Sequence, residues 1–238
     1  RALPAIGEAA DEVGSAQMRN VATLGGNLAQ HSRCWYYRHR ELRCLKKGGP
    51  RCLARGGQTK YHSLFSATRC LSPCVSNLAM ALTALDATVV VQRKAKTVTL
   101  TMAELYDAAW RNGRLHHSLE PTDLILRIEV NAEADRRSTY LQMAEKNDFD
   151  WALVSCAASA RVQAGKLSQV RLVLGCVAPV PWRRREAEAL LEGRAPSEDV
   201  ATAAADLLLK DAEPSEHNGY KVPLARALVK RALARLAS

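Results

Sequence analysis

Residues 33–62 read RCWYYRHRELRCLKKGGPRCLARGGQTKYH, three cysteines, four aromatic rings and nine Lys or Arg residues with Glu41 as the lone acid. Four kinds of chemistry use such a stretch: a nucleic-acid patch, a zinc site, a disulfide loop or an iron–sulfur site. The whole chain carries a net charge of +10, and this stretch contributes nine bases less one acid, or +8, leaving only about +2 for the rest. The basicity is therefore local. A nucleic-acid groove spreads Lys and Arg along one face, with rings as stacking platforms. Trp35, Tyr36 and Tyr37 suit stacking, but here the bases interleave irregularly with cysteines, and nucleic acid is not the expected partner.

Seven cysteines are an odd number, and the opening RALPAIGEAADEVG lacks the apolar core of a secretory signal, so reduced thiols are expected rather than a disulfide framework. Cys156 in LVSCAASARV and Cys176 in VRLVLGCVAP stand in apolar, strand-like runs and read as core residues. Cys34, Cys44, Cys52, Cys70 and Cys74 remain. Structural zinc draws on paired cysteines two to four residues apart, and only Cys70 and Cys74 qualify, for half of such a site. A [4Fe–4S] cluster accepts wider spacings, because a loop can wrap around a bulky core. Four thiolates leave it with about two negative charges in its usual oxidised state, and nearby cations favour its reduction. Arg33, Arg43, Lys46, Lys47 and Arg51 flank the thiols, and Gly48, Gly49, Gly56 and Gly57 permit tight turns. A solvated basic loop with incidental cysteines stays open beside these.

Upstream, QMRNVATLGGNLAQ at 17–30 places Thr23, Gly25, Gly26 and Asn27 in a turn where backbone N–H groups can approach a phosphate. Alone, it is equally a plain tight turn.

RNVATLGGNL, then RCWYYR, the cysteine loop closing on KYHSLF, and SNLAMALTALDATV together resemble the FAD-binding (medium) subunit of the xanthine dehydrogenase and aldehyde oxidoreductase family of molybdenum hydroxylases. STYLQMAEKNDFDWALVSCAA, VLGCVAPVPWR and NGYKVPLARALVKRAL resemble that subunit's C-terminal domain, so the resemblance runs from about residue 15 to the end. It is nearest to the variety with a [4Fe–4S]-binding loop, as in bacterial aromatic aldehyde oxidoreductases and 4-hydroxybenzoyl-CoA reductase. The resemblance implies cluster ligands at Cys34, Cys44, Cys52 and Cys70, with Cys74 in reserve. It also implies a pyrophosphate-binding turn at Thr23, Gly25, Gly26 and Asn27, with further flavin contacts from Asn77 and Gln142. At those two positions the family usually carries Asp and Lys, and Cys74 stands where it commonly has His. The family's N-terminal subdomain, with its own phosphate loop, has no counterpart in this sequence. Either another chain or segment completes the flavin site, or this relative has lost FAD and kept the cluster. Asn at 77 keeps acceptor capacity, whereas Gln at 142 removes a positive charge that would favour anionic reduced flavin.

The resemblance implies an α+β fold: part of a two-subdomain FAD-binding domain over 1–115 containing the 31–74 iron–sulfur loop, a linker at 116–122, and an α+β C-terminal domain of the CO dehydrogenase flavoprotein type over 123–238. The residue pattern agrees with mixed structure. Leu3, Ile6, Ala9 and Ala10 recur at helical spacing; Ser76 can cap a helix turning Leu78, Ala81, Leu82 and Leu85 inward; Thr101 with Glu104 forms a capping box. LILRIEV, TYLQM, LVSCAASARV and VRLVLGCV read as strands of the C-terminal domain, and helices follow from Arg183 onward. His116 and His117 read as a solvated turn in the linker. The run Arg183 to Arg185 reads as a solvated helix start, with docking as the alternative.

The resulting expectation is an electron-transfer subunit that relays electrons through FAD and its own [4Fe–4S] centre. Its partners would be a large molybdopterin-binding chain, where substrate is oxidised, and a small [2Fe–2S] chain. No catalytic acid–base or nucleophilic constellation is found in this chain. No apolar run approaches membrane-spanning length, and the expected setting is cytoplasmic, or periplasmic if a partner carries the export signal. The rival is a flavin-free scaffold whose loop binds a cluster or zinc to stabilise an assembly interface.

Overall fold

The computed structural model describes residues 3–146 and 149–237. Pro4 opens α1 (Pro4–Asp11), where its missing N–H costs nothing, and Ala5 and Ala9 are fully buried. Two short helices follow, α2 (Ala16–Val21) and α3 (Leu24–Leu28), so the glycine turn is the first turn of a helix rather than a loop. Between residues 29 and 76 the only regular structure is α4 (Trp35–Arg38) and a 3-10 turn at Leu45–Lys47. Ser76 caps α5 (Asn77–Ala84) by accepting from Ala79 N at 3.0 Å.

Every residue of α5 from Leu78 to Ala84 is buried. The first sheet has order β2-β1-β3, from β1 (Thr88–Arg93), β2 (Lys96–Thr101) and β3 (Leu124–Glu129), all antiparallel. The capping box appears at the start of α6 (Met102–Arg111): Thr101 Oγ accepts from Glu104 N at 3.2 Å, and Glu104 accepts from Thr101 N at 2.8 Å. LILRIEV, expected in the second domain, is β3 and pairs with β1, so it belongs to the first sheet. Its local pattern specifies a strand but not a partner, and Ile125 and Ile128 join the core of the first sheet.

The second sheet, order β4-β5-β6, is an antiparallel meander of β4 (Arg136–Met143), β5 (Val154–Gln163) and β6 (Lys166–Gly175). Ala164 and Gly165, both at positive φ, make the two-residue turn between β5 and β6. One sheet face packs Val154, Cys156, Ala158 and Ala160 against α7 (Arg185–Leu191), α8 (Glu198–Leu208) and α9 (Lys221–Ala237). The other turns Ala157 and Val173 toward α5. Covered on both faces, β5 is buried continuously from Val154 to Ala160 rather than in alternation. Its outer neighbour β4 has a free edge, which Glu8 of α1 covers by accepting from Tyr140 N at 2.6 Å and Thr139 Oγ1 at 2.9 Å.

Two solvated readings are corrected. Arg183 precedes α7 and its side chain is only 16% exposed, pairing with Asp86 of the first unit at 3.2 Å and Glu188 of the second at 2.8 Å. His116 is half-buried and stacks on His31 with ring centroids 4.5 Å apart. Burial, then the charge of Lys46, pushes it down to about 3. Neither burial could be anticipated from a turn-rich local sequence.

The approach of α5 to β6 is tight enough that a Cβ at Gly175 would stand 2.8 Å from Met80 Cγ and also strike Ser155 Oγ. Gly175→Ala is expected to destabilise the chain by about 1–3 kcal/mol through overpacking. The expected readout is a lowered denaturant midpoint with an unchanged slope.

Candidate redox site

Residues 31–76 fold around thiols. Cys34 is the residue before α4, and the first-turn N–H groups of Tyr37 and Tyr36 point at its sulfur. Burial raises its pKa and those two donors oppose the rise. Its own N–H donates to Ser32 Oγ at 3.0 Å, and its Sγ lies 3.2 Å from His62 Nε2. Cys44 opens the 3-10 turn, which closes through Gly49 N to Cys44 O at 2.9 Å and Leu45 N to Arg51 O at 2.8 Å. Only glycine fits at 49, where a Cβ would lie 2.6 Å from the Arg43 carbonyl carbon.

The neighbouring Cys70 thiol and the N–H groups of Leu71, Ala54 and Arg55 lower Cys52 to about 5, opposed by burial. Cys70, buried beside Cys52, is pushed up. The four thiols, Cys34, Cys44, Cys52 and Cys70, line one small cavity with Tyr37 and Lys46. Burial pulls the Lys46 ammonium down, and its attraction to Cys70, Cys44, Cys34 and Cys52 opposes that pull. Lys46 Nζ is anchored to Leu115 O at 2.6 Å. Cys74 does not line this cavity. It lies against Cys176 and Tyr106, and burial pushes it up to about 12. Among the described residues no three His, Cys, Asp or Glu side chains gather so as to hold a metal ion.

The glycine turn lies on the neighbouring elements. Thr23 Oγ1 caps α3 by accepting from Gly26 N at 3.0 Å, Gly25 packs on Ile125, and Gly26 is exposed. Asn27 Oδ1 accepts from Ser76 Oγ at 2.7 Å, joining this turn to the start of α5. Asn77 Nδ2 donates to Gln142 Oε1 at 3.0 Å, and Gln142 Nε2 donates to Glu12 at 2.7 Å. The residues expected at a flavin site are thus neighbours, although 65 positions separate Asn77 from Gln142.

An aromatic pocket shares Cys34 with the thiol cavity. Trp35, Tyr61 and Trp151 form walls, and Cys34, His62 and Val75 also line it. The Arg33 guanidinium lies 4.8 Å from the Trp151 ring centroid, and its buried Nε has no hydrogen-bond partner among the described residues. The sequence reading missed Trp151, His62 and the clamp that holds His62. In that clamp Asn218 Nδ2 donates to the carbonyls of His62 and Ser63 at 3.2 and 3.1 Å. The available signal was the pair of motifs KYH and NGYK, which lie 156 residues apart at the His62–Asn218 contact.

Residues 1–131 match the model of the FAD binding domain in molybdopterin dehydrogenase, and residues 138–236 match the CO dehydrogenase flavoprotein C-terminal domain. The aldehyde oxidoreductase FAD-binding subunit PaoB of Escherichia coli (strain K12) is 30% identical over 223 residues, which are 92% of this chain and 67% of that subunit. The carbon monoxide dehydrogenase medium chain of Hydrogenophaga pseudoflava is 32% identical over 119 residues, 48% of this chain and 42% of that one. A solved carbon monoxide dehydrogenase from the same organism, lacking the Mo-pyranopterin moiety, superposes with a TM-score of 0.69 at 24% identity, covering 96% of this chain and 65% of its counterpart. Reconstituted CO dehydrogenase from Oligotropha carboxidovorans gives 0.71 at 18% identity, covering 99% and 68%. Fold, order of elements and two consecutive domain matches agree: the chain belongs to the family of FAD-binding domains of molybdopterin dehydrogenases, continued by the CO dehydrogenase flavoprotein C-terminal domain.

Proposed function

We propose that this chain is the electron-transfer subunit of a molybdenum hydroxylase, holding FAD at the turn of Thr23, Gly25, Gly26 and Asn27 and a [4Fe–4S] cluster on Cys34, Cys44, Cys52 and Cys70. The observation that carries the reading is the convergence of those four loop cysteines on one cavity with Lys46. The donor set fits an anionic cluster. Backbone N–H groups point at Cys34 and Cys52, and a partly buried ammonium is attracted to all four sulfurs.

The flavin reading draws on the exposed start of α3 and on the aromatic pocket next to Cys34. Gly26 leaves room for backbone N–H groups to meet a pyrophosphate, and Thr23 orients the turn. Trp151 and Trp35 offer faces to a planar ring next to Cys34, and the unpartnered Arg33 Nε can donate to a ring carbonyl. When bound, FAD exchanges electrons singly or in pairs and the iron–sulfur centre exchanges them singly. In this reading the chain's own residues hold the two groups and fix the charge around them. By analogy with the FAD-binding subunit and medium chain it resembles, it works beside a large molybdopterin-binding chain and a small [2Fe–2S] chain, and substrate is oxidised on the large one. A flavin-free variant of the same reading draws on one observation: Asn77, Gln142 and Glu12 satisfy one another's hydrogen bonds.

Optical spectra of the assembled complex separate the readings, since flavin gives resolved bands, a cluster gives a broad brown shoulder and zinc gives neither. Cys44→Ser is expected to remove the iron of one [4Fe–4S] centre and its shoulder while the C-terminal domain stays folded, and Cys74→Ser is expected to leave both intact. Full iron retention in Cys44→Ser would remove that residue from the ligand set. Gly26→Asp is expected to release the flavin while keeping the cluster. Its Cβ would stand 2.9 Å from Thr23 Oγ1, and its carboxylate would face the pyrophosphate. Undiminished flavin content in that variant, measured after denaturing release, would move the flavin site elsewhere.

A further inference from the structure

His62 is a buried imidazole that the reading above leaves without a task. It is 1% exposed, its Nε2 stands 3.2 Å from Cys34 Sγ, and its Nδ1 has no partner among the described residues. Its placement is set from the backbone. His62 N donates to Thr59 O at 2.9 Å, its carbonyl is held by Asn218, and the preceding residues are tied down by Tyr220 donating to Lys60 O at 2.6 Å.

Resting on the cluster reading, we propose that His62 donates its Nε2–H to the Cys34 thiolate of the iron–sulfur centre and thereby raises that centre's reduction potential. A thiolate bound to iron carries no proton, so the 3.2 Å contact can be a hydrogen bond only if the imidazole is the donor, and this assigns the tautomer. Leaving Nδ1 unpartnered is the cost of that choice. Reduction adds one electron to the centre, forms and breaks no bond, and increases the negative charge carried by its sulfurs. A donor fixed on one sulfur stabilises the reduced form more than the oxidised form, which is one of the levers that set such potentials. The other donors to Cys34 are the backbone N–H groups of Tyr37 and Tyr36, so His62 is the side chain through which the C-terminal NGYK segment acts on the centre.

The test uses the assembled complex, titrated with dithionite and mediators and followed by electron paramagnetic resonance. His62→Phe removes the donor and is expected to lower the equilibrium constant for reduction roughly tenfold, about 59 mV for one electron. His62→Gln keeps an N–H and is expected to recover most of the loss at equal iron content. In the wild type exchanged into deuterium oxide, electron–nuclear double resonance of the reduced centre should show an exchangeable-proton coupling that His62→Phe lacks. An unchanged potential and an unchanged coupling in His62→Phe at full iron content overturn the proposal. So does loss of the centre from both variants when the wild type shows no exchangeable coupling beyond its backbone donors. A wild-type complex without iron in this chain would refute the cluster reading itself, and iron content alone distinguishes that failure from the others.

Discussion

The structure depends on how closely α5 can lie against the second sheet. Ala157, Ser155 and Gly175 present a surface with almost no side-chain height, and Met80 fills what remains. A larger residue on that surface would push the helix outward. Because α5 also packs on α1, α3 and α6, the displacement would reach those helices too. The helix start would move with it, and that start carries Ser76 and Asn77, where the glycine turn, the end of the cysteine loop and β4 meet. Dense packing transmits such shifts instead of absorbing them.

The long loop has a different kind of support. Its own core is small, with Cys52, Ala54 and Leu71 buried and Tyr36 and Leu45 packed against them. Such a cluster gains little from apolar burial, so polar ties do much of the positioning. Tyr36 OH accepts from Gln58 N at 2.7 Å, Arg55 donates to Arg69 O at 2.8 Å, and Asn218 holds the end of the loop from the far side of the sequence. A segment held mainly by hydrogen bonds around thiols gains further order from anything that bridges those thiols.

The parts legible in the sequence were those encoded locally. Ser76 and Thr101 announce their helices because a cap is satisfied within three residues, and the apolar runs of β5 and β6 announce strands. Neither signal carries a partner, which is why β3 was expected in the wrong sheet and why Arg183 looked solvated although Asp86 and Glu188 enclose it. The resemblance singled out four cysteines, and these are the four that share a cavity, while Cys74 turns to Tyr106 and Cys176. His62 and Trp151 escaped notice because their roles come from neighbours far away in sequence.

The charge pattern that first marks this chain is also the feature whose meaning changes most with the fold. Of the nine bases in residues 33–62, Arg38, Arg40, Arg43, Arg51 and Arg55 are exposed. At physiological ionic strength their fields fade over about 8 Å. Lys46 is different, being partly buried and close enough for its ammonium to be attracted to all four thiols. Beside it, each N–H aimed at a sulfur acts at contact distance in a medium that screens poorly. The short-range donors and one ammonium therefore outweigh the larger count of solvated guanidinium groups in setting the energy of an anion in that cavity. The surrounding arginines act on what approaches from outside, favouring an acidic partner surface over a basic one.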